Sequence, residues 1–159
     1  MTGQGPVGPR VLVPPPVLFA SALLLGIGAH RILPLAAAEP PALRLLRLVG
    51  LLLCLASGAL AAAAFVTLGR HRTTFRTDRP VSALVTSGPF RISRNPMYLS
   101  LVLLVAGVGA VSNSLWPLAL LVPAIAVVQR LAITPEERYM AERFGGAYRE
   151  YCRRVRRWL

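Results

Sequence analysis

Ser87-Gly88-Pro89-Phe90-Arg91-Ile92-Ser93-Arg94-Asn95-Pro96-Met97-Tyr98 is polar and basic, and it lies between long apolar runs. Gly88, Pro89 and Pro96 bar it from forming one continuous helix. Pro96 suits the first turn of a following helix, where the N–H that proline lacks would have no partner anyway. The stretch therefore places Arg91 and Arg94 where an apolar helix enters a membrane. A cationic loop there either holds an anionic group or simply obeys the charge rule for membrane proteins.

The rest of the composition agrees with a membrane setting. The 159 residues are 55% hydrophobic with a mean hydropathy of +0.58, too apolar for an ordinary soluble domain. Several runs approach the ~20 apolar residues needed to span a bilayer. The formal charge is +12, and all 18 basic residues are arginine. These arginines flank apolar spans, which points to anionic lipid headgroups rather than nucleic acid. Cys54 lies in an apolar span and Cys152 in a basic tail, so neither a disulfide nor metal-ligand spacing is expected, and His30 and His71 are isolated.

Working outward, the expected fold is all-α, with about four transmembrane helices and a C-terminal amphipathic helix. Residues 1–16 read as a flexible tail. Spans are expected near 17–35, 43–68, 96–111 and 115–133. The second is rich in Ala and Gly, which lets backbones approach closely, and Gly107 and Gly109 read the same way in the third. Ser112-Asn113-Ser114 is a short uncharged turn, so the third and fourth spans form an antiparallel hairpin.

Thr134-Pro135-Glu136-Glu137 reads as a helix start, with Thr134 as cap and Glu137 closing a capping box. Met140, Phe144, Tyr148, Tyr151 or Cys152, and Val155 then recur as one apolar stripe opposite an arginine-rich face. Such a helix over 134–159 lies on the membrane or folds back over the loop, and Gly145-Gly146 is a candidate kink. Six arginines in the 69–95 segment and seven in the tail place both on the cytoplasmic side.

The loop resembles the signature of the membrane-embedded isoprenylcysteine carboxyl methyltransferase and phospholipid methyltransferase superfamily. That pattern runs through an aromatic into Arg-His-Pro-x-Tyr and a span; here it is Gly88-Pro89-Phe90 and Arg94-Asn95-Pro96-Met97-Tyr98. The second half is similar too, with Glu136-Glu137, Phe144-Gly145, Tyr148, Tyr151 and a basic ending from Arg153 to Trp158. The resemblance implies S-adenosylmethionine held at the cytoplasmic face between loop and C-terminal segment. It carries cofactor contacts onto Phe90, Asn95, Pro96, Met97, Tyr98 and Glu136, with Glu137 the neighbour of that acid. Asn95 replaces the family's histidine; it keeps a donor and an acceptor but cannot titrate near neutral pH.

Two arginines are the candidates for a direct part in the reaction. Arg91 or Arg94 is placed to pair with the cofactor's carboxylate in a bidentate way, with Arg94 favoured. Arg130 lies about one turn before the end of the fourth span, where an unpaired guanidinium is costly, and the spans contain no Asp or Glu to meet it. An anionic group of the acceptor would pair it. No G-x-G-x-x-G fingerprint follows a strand, which excludes a soluble dinucleotide-fold methyltransferase. The expected acceptor is a lipid or lipid-modified carboxylate, as on a prenylated cysteine. The alternatives are an amine headgroup such as phosphatidylethanolamine, and a non-catalytic binding protein on the same fold.

Overall fold

The computed structural model describes residues 14–71 and 83–159. The expected tail up to residue 13, and Arg72, Arg76, Asp78 and Arg79 of the basic loop, lie outside the described residues. Five α-helices carry the described chain: α1 (Pro15–Ile32), α2 (Pro40–Arg70), α3 (Pro96–Val111), α4 (Trp116–Val128) and α5 (Thr134–Arg154). Among the described residues there is no strand, only an isolated bridge between Ala36 and Ser114. The chain is an all-α integral membrane protein.

Three helical runs are long and apolar enough to cross a membrane: α1, α2 and the run Trp116–Arg154, whose apolar part is α4 and the turn that follows it. The third expected span, α3, has 16 residues, or roughly 24 Å of helix, short of the ~30 Å hydrocarbon core. Its position inside the bundle explains why a short helix suffices. Helix α3 packs on α1, α2 and α4, and it buries Met97, Tyr98, Ser100, Val105, Gly107, Gly109 and Ala110.

The α2–α3 contact depends on small residues. A Cβ added at Gly107 would lie 2.6 Å from Cys54 Sγ and 2.8 Å from the Gly50 carbonyl oxygen. One added at Gly50 would lie 2.7 Å from the Gly107 carbonyl oxygen. Backbones this close admit no larger side chain, so the glycines set the helix spacing. The buried Ser57 hydroxyl donates to the Ser100 carbonyl at 2.7 Å and gives this interface a polar tie.

At the far end from the signature loop, the tight turn is clamped by Asn113. Its side-chain oxygen accepts from the N–H groups of Ala37 and Ala38 at 3.1 and 2.9 Å, and the Trp116 indole donates to the Leu33 carbonyl at 2.8 Å. The loop between α1 and α2 is thereby fixed to the α3–α4 hairpin, as a short antiparallel connection requires.

One expectation is corrected. Thr134 does not cap a new helix: its backbone is helical, and α4 runs into α5 through a π-helical turn over Gln129–Ile133. Pro135 supplies the physical reason. It has no N–H for the usual i−4 bond, so the preceding turn widens instead of ending. The Thr134 N–H bonds the Gln129 carbonyl five residues back, and the Thr134 hydroxyl donates to the same oxygen at 2.7 Å. Gly145 kinks α5, with φ 51° and ψ −119°. The helix ends at Arg154, short of the expected 159, because Val155 is extended.

Candidate functional site

The site is assembled at the end of the bundle where the signature stretch meets α5. Gly88–Arg91 forms one 3₁₀ turn against the C-terminal end of α2. Gly88 has φ +57°, and a Cβ there would sit 2.6 Å from the Thr67 hydroxyl. Only glycine meets both demands. The His71 ring and the Ser87 hydroxyl lie 2.9 Å apart, which fixes the start of the turn to the end of α2. The apolar stripe of α5 folds back over this loop: Tyr148, Tyr151 and Val155 form a buried cluster with Leu84, Met140, Phe144 and Cys152. The Tyr151 hydroxyl donates to the Phe90 carbonyl at 2.7 Å.

Beyond α5, residues 155–159 cross back as a strap. The Arg94 N–H donates to the Arg156 carbonyl at 3.0 Å. The Arg157 carbonyl accepts from the Asn95 amide at 3.0 Å and from the Ser93 hydroxyl at 3.2 Å. The Trp158 indole donates to the Gln129 side chain at 3.3 Å, on the π turn. Asn95 therefore ties the loop to the strap, a job for a neutral donor rather than a base.

Two carboxylates face this loop, and their surroundings differ. Glu137 is surrounded by charge. Arg157 holds it through two hydrogen bonds, Nε at 3.1 Å and Nη2 at 2.6 Å, and Arg94 Nη2 lies 3.2 Å away. Arg94 also directs Nη1 at Cys152 Sγ, 2.6 Å away, while its Nε is buried without a partner among the described residues. Hydrogen bonding to Glu137 pushes the Arg157 guanidinium above its ordinary value.

Glu136 has no cation beside it among the described residues. Its carboxyl accepts the hydroxyl of Tyr98, itself only 2% exposed, at 2.8 Å. Glu136 lies just past the apolar span, and burial pushes it up from 4.5 to about 7; the Tyr98 bond opposes the shift and Glu137 adds to it. Burial also raises the Tyr151 phenol to about 12 against the opposing effect of Arg94, and raises Tyr148.

Of the residues named from sequence, Phe90, Arg94, Asn95, Tyr98, Glu136 and Glu137 make contacts here, and Pro96 and Met97 lie buried at the start of α3 between Asn95 and Tyr98. Arg91 is exposed. Arg130 is exposed on the π turn, and no hydrogen bond or ion pair joins it to another described residue. The capping-box role expected of Glu137 gives way to its ion pairs, since the backbone is already helical before Thr134 and the Thr134 side chain caps nothing. Sequence reasoning missed Ser93, Cys152, Arg157 and Trp158. Arg157 is one of seven arginines in the tail, and nothing in spacing sets it apart.

Comparison with known proteins places this arrangement. A stretch of 79 residues, 50% of the chain, is 37% identical to the cobalt-zinc-cadmium resistance protein CzcN of Cupriavidus metallidurans and covers 36% of that protein. The chain thus spans about a third of that relative's length. A second stretch of 64 residues, 40% of the chain, is 44% identical to an uncharacterized protein of Haemophilus influenzae over that protein's full length. No solved structure matches. A family model for phospholipid methyltransferases matches residues 45–147, more than half of the chain, taking in most of α2, the whole signature loop, the hairpin and both carboxylates: the chain belongs to the phospholipid methyltransferase family.

Proposed function

We propose that this chain is a membrane methyltransferase that moves a methyl group from S-adenosylmethionine to a lipid or lipid-modified acceptor. The observation that carries this reading is Glu136, a half-buried carboxyl bonded to a neutral phenol and lacking a cation among the described residues. Such a group calls for a positively charged ligand. The unpartnered buried Nε of Arg94 nearby calls for an acceptor, as a carboxylate would supply. S-adenosylmethionine carries both kinds of charge, so the donor set fits it. Glu136, supported by Tyr98, would hold its cationic part, and Arg94 its carboxylate. Phe90, Asn95, Pro96, Met97 and Glu137 would shape the surrounding wall. When bound, the cofactor supplies an already activated methyl group; the chain's own task is to orient it and exclude water.

The favoured acceptor is a carboxylate, as on a prenylated cysteine. It is ionised at neutral pH and needs no base. That suits a site where Asn95 is an anchor and Glu136 would be engaged by the cofactor's cationic part. Arg130, exposed at the end of the apolar run, would anchor the acceptor's anionic group. An amine headgroup is the second reading, favoured by Glu136's own poise near neutrality, which would let it take the amine's proton. In this reading the site faces the cytoplasm, which the basic loop and tail support.

Titrating the purified chain in detergent with S-adenosylmethionine tests this reading. Saturable binding that is lost in Glu136→Ala is expected. A well-folded chain that binds none would instead support a non-catalytic membrane protein.

A further inference from the structure

We infer that Arg157, on the C-terminal strap, is a positioning residue that keeps Arg94 available to a carboxylate by saturating Glu137. The inference rests on the cofactor reading above and goes beyond it to a residue outside the signature. Three charges meet at this point: two guanidiniums and one carboxylate. The pairing is unequal. Arg157 makes two hydrogen bonds to Glu137, at 3.1 and 2.6 Å, one to each oxygen. Arg94 makes one 3.2 Å contact through Nη2 and leaves its buried Nε without a partner. A carboxylate held in this two-pronged way is largely neutralised by that arginine. The positive charge left over belongs to Arg94, which is the inner of the two, 15% exposed against 35% for Arg157.

Without Arg157, the negative charge of Glu137 falls wholly on Arg94. Arg94 would then close a tight pair with Glu137, and the cluster's net charge would drop from +1 to zero. Its capacity for a further carboxylate goes with it. The strap itself does not depend on the guanidinium. The Arg156 and Arg157 carbonyls bond the loop through backbone atoms, Val155 is buried, and Trp158 reaches Gln129. Arg157→Gln therefore leaves the strap docked and changes the charge balance alone.

This separates a positioning role from a merely structural one. If Arg157 only stapled the strap, neutralising Glu137 as well would not help. If it positions Arg94 by competing for Glu137, then Glu137→Gln in the Arg157→Gln background frees Arg94 again and restores binding.

The experiment measures dissociation constants in detergent for S-adenosylmethionine and for its decarboxylated analogue, with four proteins: parent, Arg157→Gln, Glu137→Gln, and the double variant. Arg157→Gln is expected to weaken S-adenosylmethionine by roughly tenfold or more, the scale of one charged hydrogen-bonded contact. The decarboxylated analogue should bind parent and Arg157→Gln alike, and the double variant should recover S-adenosylmethionine affinity to within a fewfold of parent. Equal affinity of parent and Arg157→Gln, equal weakening of both ligands, or a double variant as weak as Arg157→Gln would each overturn the inference while leaving the cofactor reading intact. A folded parent that binds neither ligand would overturn both.

Discussion

Glu136→Gln should make the protein more stable and less able to bind its cofactor. The sign follows from the direction of the shift. Glu136 titrates at about 7 in the folded chain, against 4.5 ordinarily, so the folded state holds the proton more tightly than the unfolded one. The stability this provides is complete below pH 4.5 and is lost as pH rises through 7. Above pH 7 the folded protein carries a half-buried carboxylate at a cost of about 3.5 kcal/mol, from about 1.4 kcal/mol for each pH unit of that interval. Glutamine has nearly the same shape and still accepts the Tyr98 hydroxyl, but it never ionises. Thermal unfolding in detergent should therefore show Glu136→Gln more stable than parent at pH 8, with the gap closing near pH 5. S-adenosylmethionine affinity should fall roughly ten- to hundredfold at pH 8, the value of a charged contact. In the parent, affinity should weaken as pH drops below 7, as Glu136 takes up its proton. Unchanged stability at pH 8 together with unchanged affinity would refute the reasoning, because Glu136 would then be neither costly when ionised nor used.

Three further outcomes are expected. Arg130→Gln should raise KM for the lipid acceptor while leaving cofactor affinity nearly unchanged, and Arg130→Lys should recover only part of the loss, which steady-state kinetics with binding titrations will check. Gly107→Val places carbon within 2.6 Å of Cys54 Sγ and 2.8 Å of the Gly50 carbonyl oxygen, and should destabilise the bundle by about 1–3 kcal/mol, read as a lower melting temperature in detergent. Ser87→Cys should resist an impermeant thiol reagent added outside intact cells and react after lysis; ready labelling from outside would reverse the orientation.

Apolar run lengths made the helices legible: Pro96–Val111 appears at its expected bounds, and the other spans shift by a few residues at their ends. Period and proline position made α5 and its folded-back stripe legible as well. The start of α5 was not, because Thr-Pro-Glu-Glu is the same string whether it opens a helix or follows a π turn in a continuing one. What decides is whether the preceding carbonyls find other donors, and the Thr134 N–H and hydroxyl both serve Gln129. The loop's residues were legible as a group, since Gly88, Asn95, Pro96 and Tyr98 occur in a recognisable order. Their pairings were not. Adjacent Glu136 and Glu137 are alike in sequence, yet a helix turns them about 100° apart. One meets Tyr98 and the other two arginines. Arg157 was invisible for the same reason: its role depends on a strap that returns across the loop, and no local periodicity encodes such a return.

Methyl transfer to a lipid is read out by product analysis. Membranes containing the chain are incubated with methyl-labelled S-adenosylmethionine beside membranes containing Glu136→Ala, and the lipid fraction is separated and treated with alkali. Label is expected in lipid, dependent on the intact chain and released as methanol by alkali, as a methyl ester is. Label that survives alkali would place the methyl on an amine and reverse the choice of acceptor. A lipid fraction with no more label than the Glu136→Ala control, from membranes whose inserted chain binds the cofactor, would contradict methyl transfer itself.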